Sequence, residues 1–123
     1  MTSKIQIERR TYPRYRIKTH TQILMSECYL AVNAIEMSVE GIRVEAYSEI
    51  TPGTDVTVVF DAIKKLSFQG RTIWVVASQR GDYLSYLIGI KINAIMLSGV
   101  KVTGFNQKDE LIYDILRELK NSA

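Results

Sequence analysis

Apolar and polar residues alternate along most of the chain. The alternation runs from Tyr15 to Met25, returns over Tyr29–Ile35, and is clearest over Gly41–Tyr47, Gly-Ile-Arg-Val-Glu-Ala-Tyr. A period of two places successive side chains on opposite faces of an extended segment, which predicts half-buried strands. Thr51-Pro52-Gly53-Thr54 reads as a turn, because proline presets one φ and glycine accepts a positive one. Beyond it, Asp55–Phe60 is rich in valine and Phe68–Ala77 contains Ile73-Trp74-Val75-Val76. Arg80-Gly81-Asp82 then turns the chain into Tyr83–Ile92. Six or seven short strands joined by turns predict an antiparallel barrel or sandwich. The period changes near the end. Leu111, Ile112, Ile115, Leu116 and Leu119 recur at helical spacing, and Asn106 stands where an N-cap belongs. Asp109 and Glu110 suit the positive end of the helix dipole, as Arg117 and Lys120 suit the negative end. The spacing predicts a helix over 106–120 whose stripe covers an open barrel end or a sheet face, with a partner protein as the alternative. Asn93–Phe105 carries no pattern that assigns it.

No repeat, low-complexity stretch or Pro/Ser-rich linker divides the 123 residues, so the expected organisation is a single domain, 1–123. With 46% hydrophobic and 24% charged residues the chain can build one core without disulfide or metal staples. That balance excludes disordered, collagen-like and coiled-coil classes. No apolar run approaches the ~18–20 residues a membrane span needs, and Met1–Glu8 has no signal-peptide apolar block. Cys28, the sole cysteine, has no partner for an internal disulfide, which points to a reducing cytoplasm. Enzyme chemistry lacks its parts. His20 is the only histidine, so no histidine metal cluster is expected, and it pairs with Cys28 as a nucleophile only if the fold brings the two together. Glycine-rich phosphate loops and dinucleotide fingerprints are missing. Carboxylates such as Glu36 and Glu40 are too common in a polar-faced β domain to single out acid–base work. The expectation is a binding module with no metal.

Charge is unevenly spread behind a net +3. Residues 1–20 hold Lys4, Arg9, Arg10, Arg14, Arg16 and Lys18 against Glu8. Residues 21–63 hold Glu27, Glu36, Glu40, Glu45, Glu49, Asp55 and Asp61 against Arg43. This suggests a local anion site, whereas long nucleic acid demands a broader basic face. Arginines paired with the acidic middle are the plainer alternative. Two pieces stand out together: Arg9-Arg10-Thr11-Tyr12-Pro13-Arg14, a loop restrained by proline, and Glu36-Met37-Ser38-Val39-Glu40-Gly41, a turn between predicted strands.

Arg10-Thr11-Tyr12-Pro13-Arg14 resembles the RxxxR motif of PilZ domains, with Arg9 doubling the first arginine. Glu36 to Gly41 resembles that family's second motif, (D/N)xSxxG, with Ser38 and Gly41 in place and Glu36 one methylene longer than the usual acid. Pro52-Gly53, Gly70–Trp74 and Gly89–Ile92 follow in matching order, so the resemblance covers about Glu8 to Leu119. It implies a six-stranded antiparallel β-barrel over about 15–92, an arginine-rich loop over 8–14 and a C-terminal helix. It also implies a non-enzymatic bacterial receptor for cyclic di-GMP that passes its signal to a protein effector, such as motility, adhesion or exopolysaccharide machinery. The implied ligand residues are Arg9, Arg10, Arg14, Glu36, Ser38 and Gly41, with Arg9 at the position associated with binding two ligand molecules. The chemistry fits, since a guanidinium forks to phosphate, pairs with guanine O6 and N7, or stacks on a base. A carboxylate accepts from guanine N1–H and N2–H, and a serine hydroxyl donates to phosphate. Trp74, within an apolar strand, is expected in the core; Tyr12 is the expected aromatic neighbour of a base, and Tyr83 and Tyr86 lie at the rim. The alternative function is a PilZ-like adaptor that binds protein without cyclic di-GMP. A barrel for single-stranded nucleic acid ranks last, because the positive charge sits in one loop instead of along a strand face.

Overall fold

The computed structural model describes residues 14–103 and 105–122. They form β1 (Tyr15–Leu24), β2 (Tyr29–Met37), β3 (Gly41–Ala46), β4 (Asp55–Phe60), β5 (Leu66–Arg80), β6 (Tyr83–Leu97), β7 (Val100–Val102) and α1 (Phe105–Ser122). Burial alternates as the residue pattern requires: Ile42, Val44 and Ala46 of β3, and Val56, Val58 and Phe60 of β4, point inward. The strands pair antiparallel in the order β3-β2-β1-β4-β5-β6, and β3 pairs with β6 from Gly41 opposite Lys91 to Ala46 opposite Tyr86. That last pairing closes a six-stranded barrel, as the resemblance implies, and removes the two free edges an open sheet would leave. Inside, the Phe60 and Phe68 rings lie 5.4 Å apart among Ile23, Val58, Ile88, Ile90 and Ile95. Ile112 and Ile115 of α1 are buried in the same cluster, and the Tyr113 ring lies 5.5 Å from that of Tyr15. The helical stripe is therefore satisfied by the barrel's own core.

Two regions depart from the sequence reading. The unassigned stretch extends β6 to Leu97 and then reverses through Ser98 and Gly99 into β7, which pairs Ile95 with Val102 and Leu97 with Val100. Both turn residues have positive φ, 52° and 83°, as the hairpin turn that matches strand twist demands. The helix begins at Phe105, so Asn106 lies in its first turn instead of capping it. Arg9, Arg10, Tyr12 and the rest of the arginine loop before Arg14 lie outside the described residues. Regular pairing is interrupted between Arg16 and Thr19, between Ala34 and Glu36, and between Thr72 and Trp74. Each interruption shifts which side chains face out.

The core sets the stability. Phe68→Ala is expected to cost about 3–5 kcal/mol, whereas Tyr29→Ala, at a position 65% exposed, should stay within about 0.5 kcal/mol. Denaturant unfolding of the two variants measures the contrast.

Candidate functional site

Pairing register aligns five residues from five strands in one outward row. Arg16 of β1 lies opposite Glu36 of β2, Glu36 opposite Arg43 of β3, Arg43 opposite Gly89 of β6, and Gly89 opposite Trp74 of β5. Directly opposite residues share a face. The adjacent row, Met37–Ile42–Ile90, is buried inside, so this one faces out. Three of the four register shifts, those between Arg16 and Thr19, Ala34 and Glu36, and Thr72 and Trp74, fall beside the row; the fourth lies between Gln69 and Gly70. Above the row opens a cleft of 310 Å3 whose walls include Arg14, Glu36, Ser38, Arg43, Trp74 and Lys91.

The charges in the cleft are coupled. The Glu36 carboxylate lies 3.2 Å from Nη2 of Arg43 and 3.9 Å from Nη1 of Arg14. Its side chain is mostly covered, while Arg14 is largely exposed. Arg43 Nε is buried without a hydrogen-bond acceptor, an unmet donor worth about 1–3 kcal/mol in lost solvation. The cleft thus offers two guanidiniums bridged by one carboxylate, with a further donor unused.

Behind these charges stands a tight turn. Ser38 N–H donates to Gly41 O (2.9 Å), Glu40 N–H donates to Ser38 Oγ (3.2 Å), and Ile92 N–H donates to Glu40 O (2.9 Å). Ser38 is buried, so its hydroxyl first of all builds the turn. At Gly41 a methyl group would stand 3.0 Å from Ile90 O, and glycine lets β3 approach β6 there. Of the residues expected to bind ligand, Arg14, Glu36, Ser38 and Gly41 therefore gather at one cleft.

Trp74 corrects the sequence reading. It is 37% exposed and walls the cleft instead of filling the core. Ile73 is the extra residue between Thr72 and Trp74, and it reverses which side chains of β5 point inward. The strand is held just before it. Thr72 exchanges main-chain bonds with Gly53 (2.7 Å) and Thr54 (3.0 Å), its Oγ1 donates to Thr51 O (2.8 Å), and Thr54 N–H donates to Thr72 Oγ1 (3.0 Å). The indole then lies across Gly89, where an added Cβ would come within 2.3 Å of the ring. Sequence reasoning missed Arg43, Gly89 and Lys91. The outward phase of Arg43 in Gly41–Tyr47 was its one visible signal. Tyr83 is exposed and Tyr86 half-buried, as expected of rim residues. His20 and Cys28 stay apart: His20 sits opposite Asn33, and Cys28 lies beyond the far end of that strand pair.

A family model, PilZ domain, matches residues 8–99, about three-quarters of the chain. The chain belongs to the PilZ family. These domains form a receptor and adaptor family for cyclic di-GMP and are generally non-enzymatic. Among solved structures the PilZ chain is similar to the Bacillus subtilis inhibitor of motility, MotI/DgrA, with a TM-score of 0.60 at 15% identity. The match covers 91% of this chain and 52% of that one, so the chain spans about half the length of that structure and shares its fold. No curated protein matches it. Among the described residues no helix is long and apolar enough to cross a membrane, and no group of three His, Cys, Asp or Glu residues is placed to hold a metal ion.

Trp74 is the chain's only tryptophan and reports on this geometry. Gly89→Val is expected to push the indole off the strand, red-shifting its fluorescence, and to cost about 1–3 kcal/mol of stability. Emission spectra beside far-UV circular dichroism separate displacement of the ring from loss of the barrel.

Proposed function

We propose that this cleft binds cyclic di-GMP and that the chain is a non-enzymatic receptor that relays the bound state to a protein effector. The observation that carries the reading is the row itself. In a PilZ chain, one outward row holds Glu36 beside Arg43, with Arg14 reaching the same carboxylate, and, two strands from Arg43, an indole placed over a glycine. These are the groups a guanine nucleotide diester requires. Trp74 presents a π-face for one guanine, and such stacking is worth about 1–3 kcal/mol per base. Arg14 is exposed enough to fork to a phosphate or to guanine O6 and N7. Glu36 either accepts from guanine N1–H and N2–H or holds Arg43 in place for the ligand. Ser38 and Gly41 shape the turn that lets the base approach β3. The PilZ arginine motif assigns Arg10, with Arg9 beside it, to the same ligand, and a basic residue at Arg9 leans toward two bound ligands; both lie outside the described residues. The effector would belong to motility, adhesion or exopolysaccharide machinery in a bacterial cytoplasm.

The Glu36 ion pairs also support the second reading, an adaptor that binds protein alone. Both guanidiniums already have a carboxylate, and a ligand phosphate must compete with it. Calorimetric titration with cyclic di-GMP separates the two. A receptor gives saturable heat. Arg10→Ala, Arg14→Ala or Arg43→Ala is then expected to weaken binding about ten- to a hundredfold, from the roughly 1.5–3 kcal/mol of a hydrogen bond to a charged group. Glu36→Asp, which restores the family's shorter acid, is expected to hold or raise the affinity. No heat from the parent chain, or affinity untouched by all three arginine substitutions, contradicts the receptor reading.

A further inference from the structure

β5 and β6 are the longest strands, and their hairpin runs past the rest of the barrel. β4 pairs with β5 only as far as Arg71, and the Thr51–Thr54 turn closes the edge as far as Thr72. From Ile73 to Arg80, β5 has β6 on one side, and among the described residues no strand pairs with the other. The hairpin shows which main-chain groups face outward. Arg80 and Tyr83 flank a two-residue loop in which Gly81 alone has positive φ, 61°, the type II′ arrangement. The flanking pair of such a turn exchanges hydrogen bonds, and antiparallel ladders alternate bonded with non-bonded pairs. Ser78 and Val76 therefore bond to β6, while the N–H and C=O groups of Val75, Ala77 and Gln79 point away from it.

Exposed edges are usually blunted by charge, proline, a bulge or short length. Past Ile73, the run Trp74-Val75-Val76-Ala77-Ser78-Gln79 has no charge, no proline and no further register shift. It is also sticky, with Ile73 53% and Val76 52% exposed. We infer that this edge pairs with the same edge of a second copy of the chain, antiparallel about a twofold axis through Ala77. The edge is self-complementary in that register. Val75 of one copy meets Gln79 of the other, Ala77 meets Ala77, and all three outward-facing residues of each strand find main-chain partners. On the outer face Arg80 falls opposite Trp74 of the second copy, a guanidinium over an indole, and this contact occurs twice. An arbitrary extended peptide would gain the main-chain bonds but not this paired contact. The inference does not depend on cyclic di-GMP, and its test contains none.

Sedimentation velocity of the full chain over the low to high micromolar range is expected to show a reversible dimer. Ala77→Pro removes an N–H that faces outward, so the β5–β6 ladder survives and association is lost. Val76→Lys changes only the exposed face and sets like charges near each other across the seam. Each variant is expected to sediment as a monomer with an unchanged circular dichroism spectrum, and Arg80→Glu to weaken the dimer about tenfold or more. If Ala77→Pro disturbs the strand, Val76→Lys decides. A parent chain that stays monomeric across the range, as it would if its own N-terminal residues covered the edge, overturns the inference. So does a dimer that survives Val76→Lys with the fold intact.

Discussion

The pairing of β3 with β6 is the constraint on which the rest depends. Without it the strands form an open sheet, and Glu36 and Arg43 stand at one end of the order while Trp74 stands near the other. Closing the barrel sets Arg43 opposite Gly89, and with it brings the acid–arginine pair to the indole. Glycines at two points of this seam make the approach possible. At Gly41 the neighbouring carbonyl stands 3.0 Å from where a side chain would begin, and at Gly89 the tryptophan ring comes within 2.3 Å. The cleft is thus a consequence of closure. Residues forty to fifty positions apart in the chain become neighbours because two strands pair.

Much of the barrel was legible from residue order alone. Period-two alternation located β1 to β4 closely and the centres of β5 and β6, and the helical stripe located α1. The site was half legible. Arg14, Glu36, Ser38 and Gly41 sit in short motifs, and local spacing exposes those. Trp74 was misread for a definite reason. Ile-Trp-Val-Val is an apolar run that reads as core, and only the extra residue at Ile73 turns the indole outward. Arg43 carries no motif of its own and Gly89 only the short Gly89–Ile92 match, and their value lies in which strands adjoin, which alternation does not encode. The stretch after Ile92 resisted assignment because Ala94 and Ile95 are both buried, breaking the period of two where β6 passes from the barrel to β7.

The cleft combines a firm wall with an electrostatic trade. On the wall side, four hydrogen bonds pin Thr72 to the Thr51–Thr54 turn, and the indole is seated on Gly89. Preorganisation of this kind lowers the ordering cost of binding. On the charged side, Glu36 keeps Arg14 and Arg43 apart and oriented, yet it occupies the groups an anion needs. A partly exposed ion pair of this sort is worth only about 0–1 kcal/mol, whereas a charge-assisted bond to phosphate is worth about 1.5–3 kcal/mol. On the proposed reading, that balance favours exchange of the carboxylate for the ligand.

On the proposed reading, guanine and phosphate are recognised by one row across β2, β3, β6 and β5 together with Arg14. A proton–nitrogen correlation spectrum of the 15N-labelled chain, titrated with cyclic di-GMP, tests it most directly. The amides of Gly41, Arg43 and Gly89 and the indole N–H of Trp74 are expected to shift along one saturating curve, while Tyr29, Lys101 and the far end of β1 stay fixed. A spectrum that does not change, or one whose shifts cluster away from Gly89 and Trp74, contradicts it.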